Sequence, residues 1–129
     1  MNTLIIFITS LVSYLVLDLL WLGVIAKPFI TKWLAPWMTD GFKLWPAAIV
    51  YALLALGTTF FIVPKMTSLG MAFLWGALLG LIIYGVYDFT NYATIANWPL
   101  KFLFVDWAWG TVSGGLVATI VYGISKVIK

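Results

Sequence analysis

The chain has 129 residues, 64% hydrophobic and 9% charged, with a net charge of +3 and a mean hydropathy of +1.12. Soluble domains are about 25% charged and about 45–50% apolar, so composition excludes a water-soluble fold. The seven basic residues are all lysine, the four acidic ones all aspartate, and histidine and cysteine are missing; this excludes a disulfide, a thiolate nucleophile, a haem-ligating histidine, a Ser-His-Asp triad and a zinc site of the usual ligands.

In chain order, the first apolar run covers about 3–26. It has no preceding basic region and no convincing cleavage site. At about 1.5 Å per residue it is long enough for a bilayer core of about 30 Å, so it is expected to be a retained helix and not a signal peptide. The next connection, about 20 residues, carries Phe29, Ile30, Trp33, Leu34, Trp37 and Met38 at helical spacing, with Lys27, Thr31 and Lys32 opposite. That pattern predicts a short amphipathic helix in the membrane interface over about 28–38, bent or ended by Pro36.

The second run covers about 46–63 from Pro46, which suits a helix's first turn, and is closed by Pro64 and Lys65. The third covers about 70–92 and the fourth about 100–125, the latter opening after Pro99 and ending at Lys126 and Lys129. Each is long enough to span with modest tilt. Connections this short predict an all-α, polytopic, up-down-up-down bundle of four transmembrane helices in one domain. Trp33, Trp37, Trp45 and Trp98 fall near span ends, as aromatic belts do. Lys65, Lys126 and Lys129 on one side balance Lys27, Lys32, Lys43 and Lys101 on the other, once the amino terminus is added, so the positive-inside rule sets no orientation. The scattered lysines fit lipid head groups and give no basic face for nucleic acid.

The chemistry lies in Asp18, Asp88 and Asp106. With alternating spans, all three fall toward the side of the long connections, on the order of 6–12 Å inside the span ends. Helix faces agree with this depth. Ser10, Tyr14 and Asp18 follow at four-residue spacing, with Trp21 three further on. Gly76, Gly80, Tyr84 and Asp88 make a second stripe, joined by Asn91, and Asp106, Gly110, Gly114 and Ala118 a third. Small residues at this spacing let helices approach closely, so these faces are expected to point inward. The second span offers Tyr51, Ala55 and Thr58. The expected pocket is lined by Tyr14, Asp18, Tyr51, Tyr84, Asp88, Asn91 and Asp106, with Trp21 and Trp109 beside it. The Gly76-Gly80 pair reads as ordinary helix packing.

An aspartate near a helix centre costs about 2.5–3.5 kcal/mol on insertion scales, and less nearer the interface. Three close carboxylates cannot all remain ionised in a low dielectric unless a cation sits among them. Lys27 and Lys101, at the rim, are the nearest cations the sequence supplies.

Tyr87-Asp88-Phe89-Thr90-Asn91-Tyr92-Ala93-Thr94, followed by Trp98-Pro99 and Val105-Asp106-Trp107-Ala108-Trp109-Gly110, resembles the bacterial membrane family catalogued as domain of unknown function 2177. Asp18-Leu19-Leu20-Trp21-Leu22-Gly23 matches the same pattern, and the resemblance covers essentially the whole chain. It implies four spans in a bacterial inner membrane and makes Asp18, Asp88, Asn91 and Asp106 motif residues; it implies no substrate.

Three functions remain open. The first is binding or transport of a small or amphipathic ligand, coupled to a bound proton or hard cation at the aspartates. By analogy with small multidrug exporters it would go with a homodimer. The second is a lipid-modifying enzyme with Asp88 and Asp106 as general acid and base, Asn91 orienting substrate and the three aspartates as candidate metal ligands; no nucleophile or cofactor motif accompanies them. The third is an accessory subunit whose polar layer sets helix register.

Overall fold

The computed structural model describes residues 2–41 and 43–128, so Lys129 lies outside the described residues. The fold is all-helical. Helix α1 spans Thr3–Leu20 and runs on through a π turn, Trp21–Ile25. Helix α2 is Lys27–Leu34, followed by a 3-10 turn, Ala35–Trp37. Helix α3 spans Leu44–Gly57 and continues through a π turn, Thr58–Ile62, and a 3-10 turn, Val63–Lys65. Helices α4, Leu69–Thr94, and α5, Leu100–Val127, complete the chain.

Local chemistry fixes the ends. The Asn2 side chain accepts the Leu4 amide at 2.8 Å, and Ser68 Oγ accepts the Met71 amide at 3.1 Å, each capping a helix start. Pro99 precedes α5, where its missing N–H is no loss. Helix α3 begins two residues before Pro46, which therefore sits in its first turn. The four apolar helical stretches, Thr3–Ile25, Leu44–Lys65, Leu69–Thr94 and Leu100–Val127, are 22 to 28 residues long, or about 33–42 Å at the helical rise. Their outer surfaces are leucine, isoleucine, valine and phenylalanine, and Leu19, Val24 and Phe61 are each about 70% exposed. In water that surface would drive aggregation; facing acyl chains it is in its proper solvent.

Helices α4 and α5 pack most closely. Gly80 meets Gly110 and Gly76 meets Gly114, so the two run antiparallel with almost no side chain between them. A Cβ on Gly80 would collide with the Gly110 carbonyl, which explains why the small-residue stripe is needed. The Gly76-Gly80 pair is thus spent on an intramolecular seam. Trp107 Nε1 adds a bond to the Leu81 carbonyl at 2.9 Å across it.

Helix α1 lies against α3 and α5. Its pairings with span two, Tyr14 to Thr58 and Asp18 to Tyr51, are also antiparallel. Ile6, Tyr14, Leu54, Val117 and Val121 form one buried cluster, and Ile62, Ala72 and Ala118 a second. Span two touches α4 through its π and 3-10 turns, whereas α3 itself rests on α1 and does not run along α4. Ala55 is fully buried, yet Ala48, seven residues earlier on the same face, is exposed. Spans two and three therefore converge at the Lys65 end and part toward the other.

Helix α2 has the most sharply separated apolar and polar faces of the five helices. Phe29 and Trp33 stack at 5.6 Å, and Trp37 in the following turn meets Trp98 at 5.5 Å, tying this segment to the α4–α5 turn. Pro36 stands in the 3-10 turn that ends it.

Candidate acidic site between the helices

The three inward stripes are buried: Ser10, Tyr14 and Asp18 on α1, Gly76, Gly80 and Asp88 on α4, and Asp106, Gly110, Gly114 and Ala118 on α5. Their aspartates nevertheless stand in two different environments.

Asp18 is satisfied on both oxygens. Tyr51 of α3 donates its hydroxyl to Oδ2 at 2.7 Å, and Trp109 of α5 donates Nε1 to Oδ1 at 2.9 Å. Trp21 lies flat on Trp109, with ring centroids 4.6 Å apart and planes 4° from parallel. One carboxylate thus pins three helices, and a stacked indole pair shields its flank. Such charge-assisted bonds are roughly twice as strong as neutral ones.

Asp88 is the opposite case. It is 0% exposed, and neither of its oxygens has a hydrogen-bond donor among the described residues. The group it faces is Asp106, within reach for a side-chain hydrogen bond and itself only 9% exposed. Two ionised carboxylates have no hydrogen to share, so that bond exists only when a proton rests on one of them. A buried acceptor without a donor forfeits about 1–3 kcal/mol, more when charged. This makes the pair the least satisfied polar feature of the described interior.

Around these groups stand tyrosines. Tyr84 lies over Gly110, whose hydrogen leaves room for the ring, and stands within electrostatic reach of Asp18, Asp106, Tyr51 and Tyr14. Tyr14 shares a hydrogen bond of 3.0 Å with Thr58 Oγ1, one turn further along α1. Asn91 lies beside the Tyr87 hydroxyl, and Tyr87 is half-exposed although it is close to both Asp88 and Asp106. The expected lining therefore assembles as two neighbouring groups: Asp18 with Tyr51, Trp109 and Trp21, and Asp88 with Asp106, flanked by Asn91. Tyr84 stands between them. No group of three acidic side chains close enough to hold a metal ion occurs among the described residues.

Sequence reasoning missed Tyr87 and the role of Trp98. Trp98 has the sequence position of a belt residue, yet it is buried among Trp37, Tyr87 and Phe102, and its Nε1 has no partner among the described residues. Tyr87, next to Asp88 in the chain, was the available signal for this cluster. Trp21 Nε1 is likewise buried without an acceptor. An open concavity of about 630 Å³, cupped by residues Tyr92 to Trp98, lies one turn beyond Asp88. Asn97, at φ 60°, makes the left-handed turn of that cup. A second hollow, about 310 Å³, is an apolar groove near Phe7, Leu56 and Phe60. The aspartates line neither.

Four apolar helices around a buried acid pair define an integral membrane protein. The family model described as "Predicted membrane protein (DUF2177)" matches residues 3–123, and the chain belongs to that family. Comparison with curated proteins and with solved structures gave no match.

Proposed function

We propose that this protein is a small binding or transport protein of the bacterial cytoplasmic membrane, in which the Asp88–Asp106 pair exchanges a proton or a cation with a small or amphipathic ligand. The observation that carries this reading is Asp88: wholly buried, without a donor, and facing a second carboxyl. Helix register alone does not require such a group, because Asp18 already ties three helices with a fully bonded carboxylate. Intramembrane acids left without protein partners are the usual parts of proton relays and ion pathways. The pair becomes compatible with its surroundings by holding a proton or a cation, and the alternation between those two states is the coupling.

The test is carboxyl infrared spectroscopy of the protein in lipid nanodiscs across a pH series, with Asp18→Asn, Asp88→Asn and Asp106→Asn assigning the bands. The expected result is that Asp88 and Asp106 titrate as one coupled pair, so that replacing either moves the band of the other, while Asp18→Asn leaves that coupling intact. A transported or bound cation then displaces the shared proton. Independent titration of Asp88 and Asp106, indifferent to each other's replacement, overturns the reading and leaves the acids a structural role.

A further inference from the structure

The parting of α3 from α4 occurs at the depth of the acid pair. Along the face of α3, Ala55 and Leu54 are buried, while Tyr51 is half-buried and Ala48 is exposed. Along α4, Ala72, Gly76 and Gly80 are buried, whereas Tyr84 is half-buried and Tyr87 is 52% exposed. Both helices thus lose cover toward the same end, and the gap between them opens sideways onto the surrounding lipid. Tyr51 of α3 and Tyr84 of α4 stand near each other there, unlike the leucine, valine and phenylalanine of the outer surface. Asp106 is 9% exposed and Asp88 wholly buried.

The chemistry of the site selects among cations. No group of three acidic side chains for a largely dehydrated divalent ion is gathered among the described residues. A hydrated magnesium, which one or two carboxylates can hold, is the competitor that the titration below separates. Two carboxyls beneath aromatic rings suit an organic ammonium, which takes charge from the acids and cation–π attraction from ring faces. Lys65 and Lys126 already lie 5.0 Å above the Trp75 and Tyr122 rings, toward the converged end. The protein supplies no arginine to the acid pair.

We infer that the ligand is a lipophilic organic ammonium that reaches Asp106 and Asp88 sideways from the bilayer, between α3 and α4, leaving its apolar tail in the lipid. This rests on the proton- or cation-exchange reading above and names the cation. The ammonium nitrogen pairs with the two carboxylates, the O–H bond of the protonated acid breaks, and the proton leaves to water, so charge is conserved.

The experiment uses the full chain in nanodiscs and reads proton release and tryptophan fluorescence on titration with dodecyltrimethylammonium, butyltrimethylammonium, potassium and magnesium. The chain has no cysteine, so Ala48→Cys gives a single thiol at the opening, to be blocked with a bulky maleimide. The expected result is saturable binding of the dodecyl compound with release of one proton. It should be at least tenfold weaker for the butyl compound, and at least tenfold weaker in Asp88→Asn, Asp106→Asn and the blocked thiol variant. Near-UV circular dichroism of the Trp21–Trp109 stack checks that each variant is folded. Binding of potassium or magnesium with proton release, but not of either ammonium, overturns the inference and leaves the exchange reading standing. Equal binding of both chain lengths, unaffected by the maleimide, overturns the sideways route. Disulfide formation between Ala48→Cys copies in the bilayer puts a second copy in the opening and overturns it too. Uncoupled carboxyls that respond to nothing remove both readings together.

Discussion

Replacing Asp18 by asparagine should lower stability, whereas replacing Asp88 should not. In Asp18→Asn the remaining oxygen accepts from Trp109 Nε1 and the new amide donates to the Tyr51 hydroxyl oxygen, so both contacts persist without an ionised acceptor. Interhelical hydrogen bonds in membranes contribute about 0.6 kcal/mol on average and up to about 1.7. An ionised acceptor roughly doubles that. Losing that enhancement at both bonds gives a loss of about 1–3 kcal/mol. In Asp88→Asn no donor is lost, because none is there. The amide instead donates to Asp106 without needing a shared proton, so stability should stay level or rise by about 1–2 kcal/mol. The assay is reversible unfolding in mixed detergent micelles, followed by tryptophan fluorescence and by the near-UV signal of the Trp21–Trp109 stack. A double-mutant cycle of Asp18→Asn with Tyr51→Phe should be clearly sub-additive. Two variants that change stability with the same sign, or an Asp18→Asn loss within about 0.5 kcal/mol of zero, refute the division of the acids.

In the same assay Gly80→Ala should lose about 1–3 kcal/mol by forcing α4 off α5, while Gly23→Ala, whose added methyl meets nothing within 4 Å, should be nearly neutral. Tyr14→Phe removes the hydroxyl that bonds Thr58 and should lose about 0.6–1.7 kcal/mol. Trp21→Leu should abolish the coupled near-UV signal of the parallel indole pair, because Trp109 then has no stacked partner.

Much of this was legible in the sequence. The apolar runs gave four membrane-length helices, because twenty or so apolar residues have one low-energy form in lipid. Small residues at four-residue spacing marked Gly76, Gly80, Gly110 and Gly114 as inward, since only such residues let backbones approach this closely. Segment Lys27–Leu34 is helical where its pattern placed an amphipathic helix. The division among the aspartates was not legible. Equal depth and inward stripes put Asp18, Asp88 and Asp106 in one layer, but hydrogen bonding depends on which neighbour each rotamer meets. Trp109 is expected beside the pocket, but nothing in the chain tells that its indole bonds Asp18 in particular, 91 residues away. The orphaned indole of Trp98 was hidden for the same reason, because Trp98-Pro99 reads as a belt residue before a helix until Trp37 and Phe102 are seen to enclose it.

The contrast between the two acid environments also bears on how the fold tolerates its site. The α4–α5 seam is the most intimate contact in the molecule, and it is built from glycine against glycine, where no side chain is free to rearrange. Asp106 continues its stripe one step from Gly110, and Asp88 lies two steps beyond Gly80, past Tyr84, so the two helices that the seam joins also carry the two facing carboxyls. Without that seam the pair would separate and each acid would find water or a head group. Beyond it the cover thins: Tyr84 and Tyr87 are partly exposed and α3 has left α4. A firm seam on one side and thinner cover on the other suit the proposed exchange, with the acids held in place by the seam. Asp18, bonded to Tyr51 and Trp109, ties α1 to α3 and α5 in that same region. The disruption expected of Asp18→Asn should therefore reach the site as well: besides losing stability, the variant should weaken ammonium binding even though the Asp88–Asp106 titration stays coupled. Full-strength binding in a destabilised Asp18→Asn protein would show that the opening does not depend on α1, and would place its support in α3 and α4 alone.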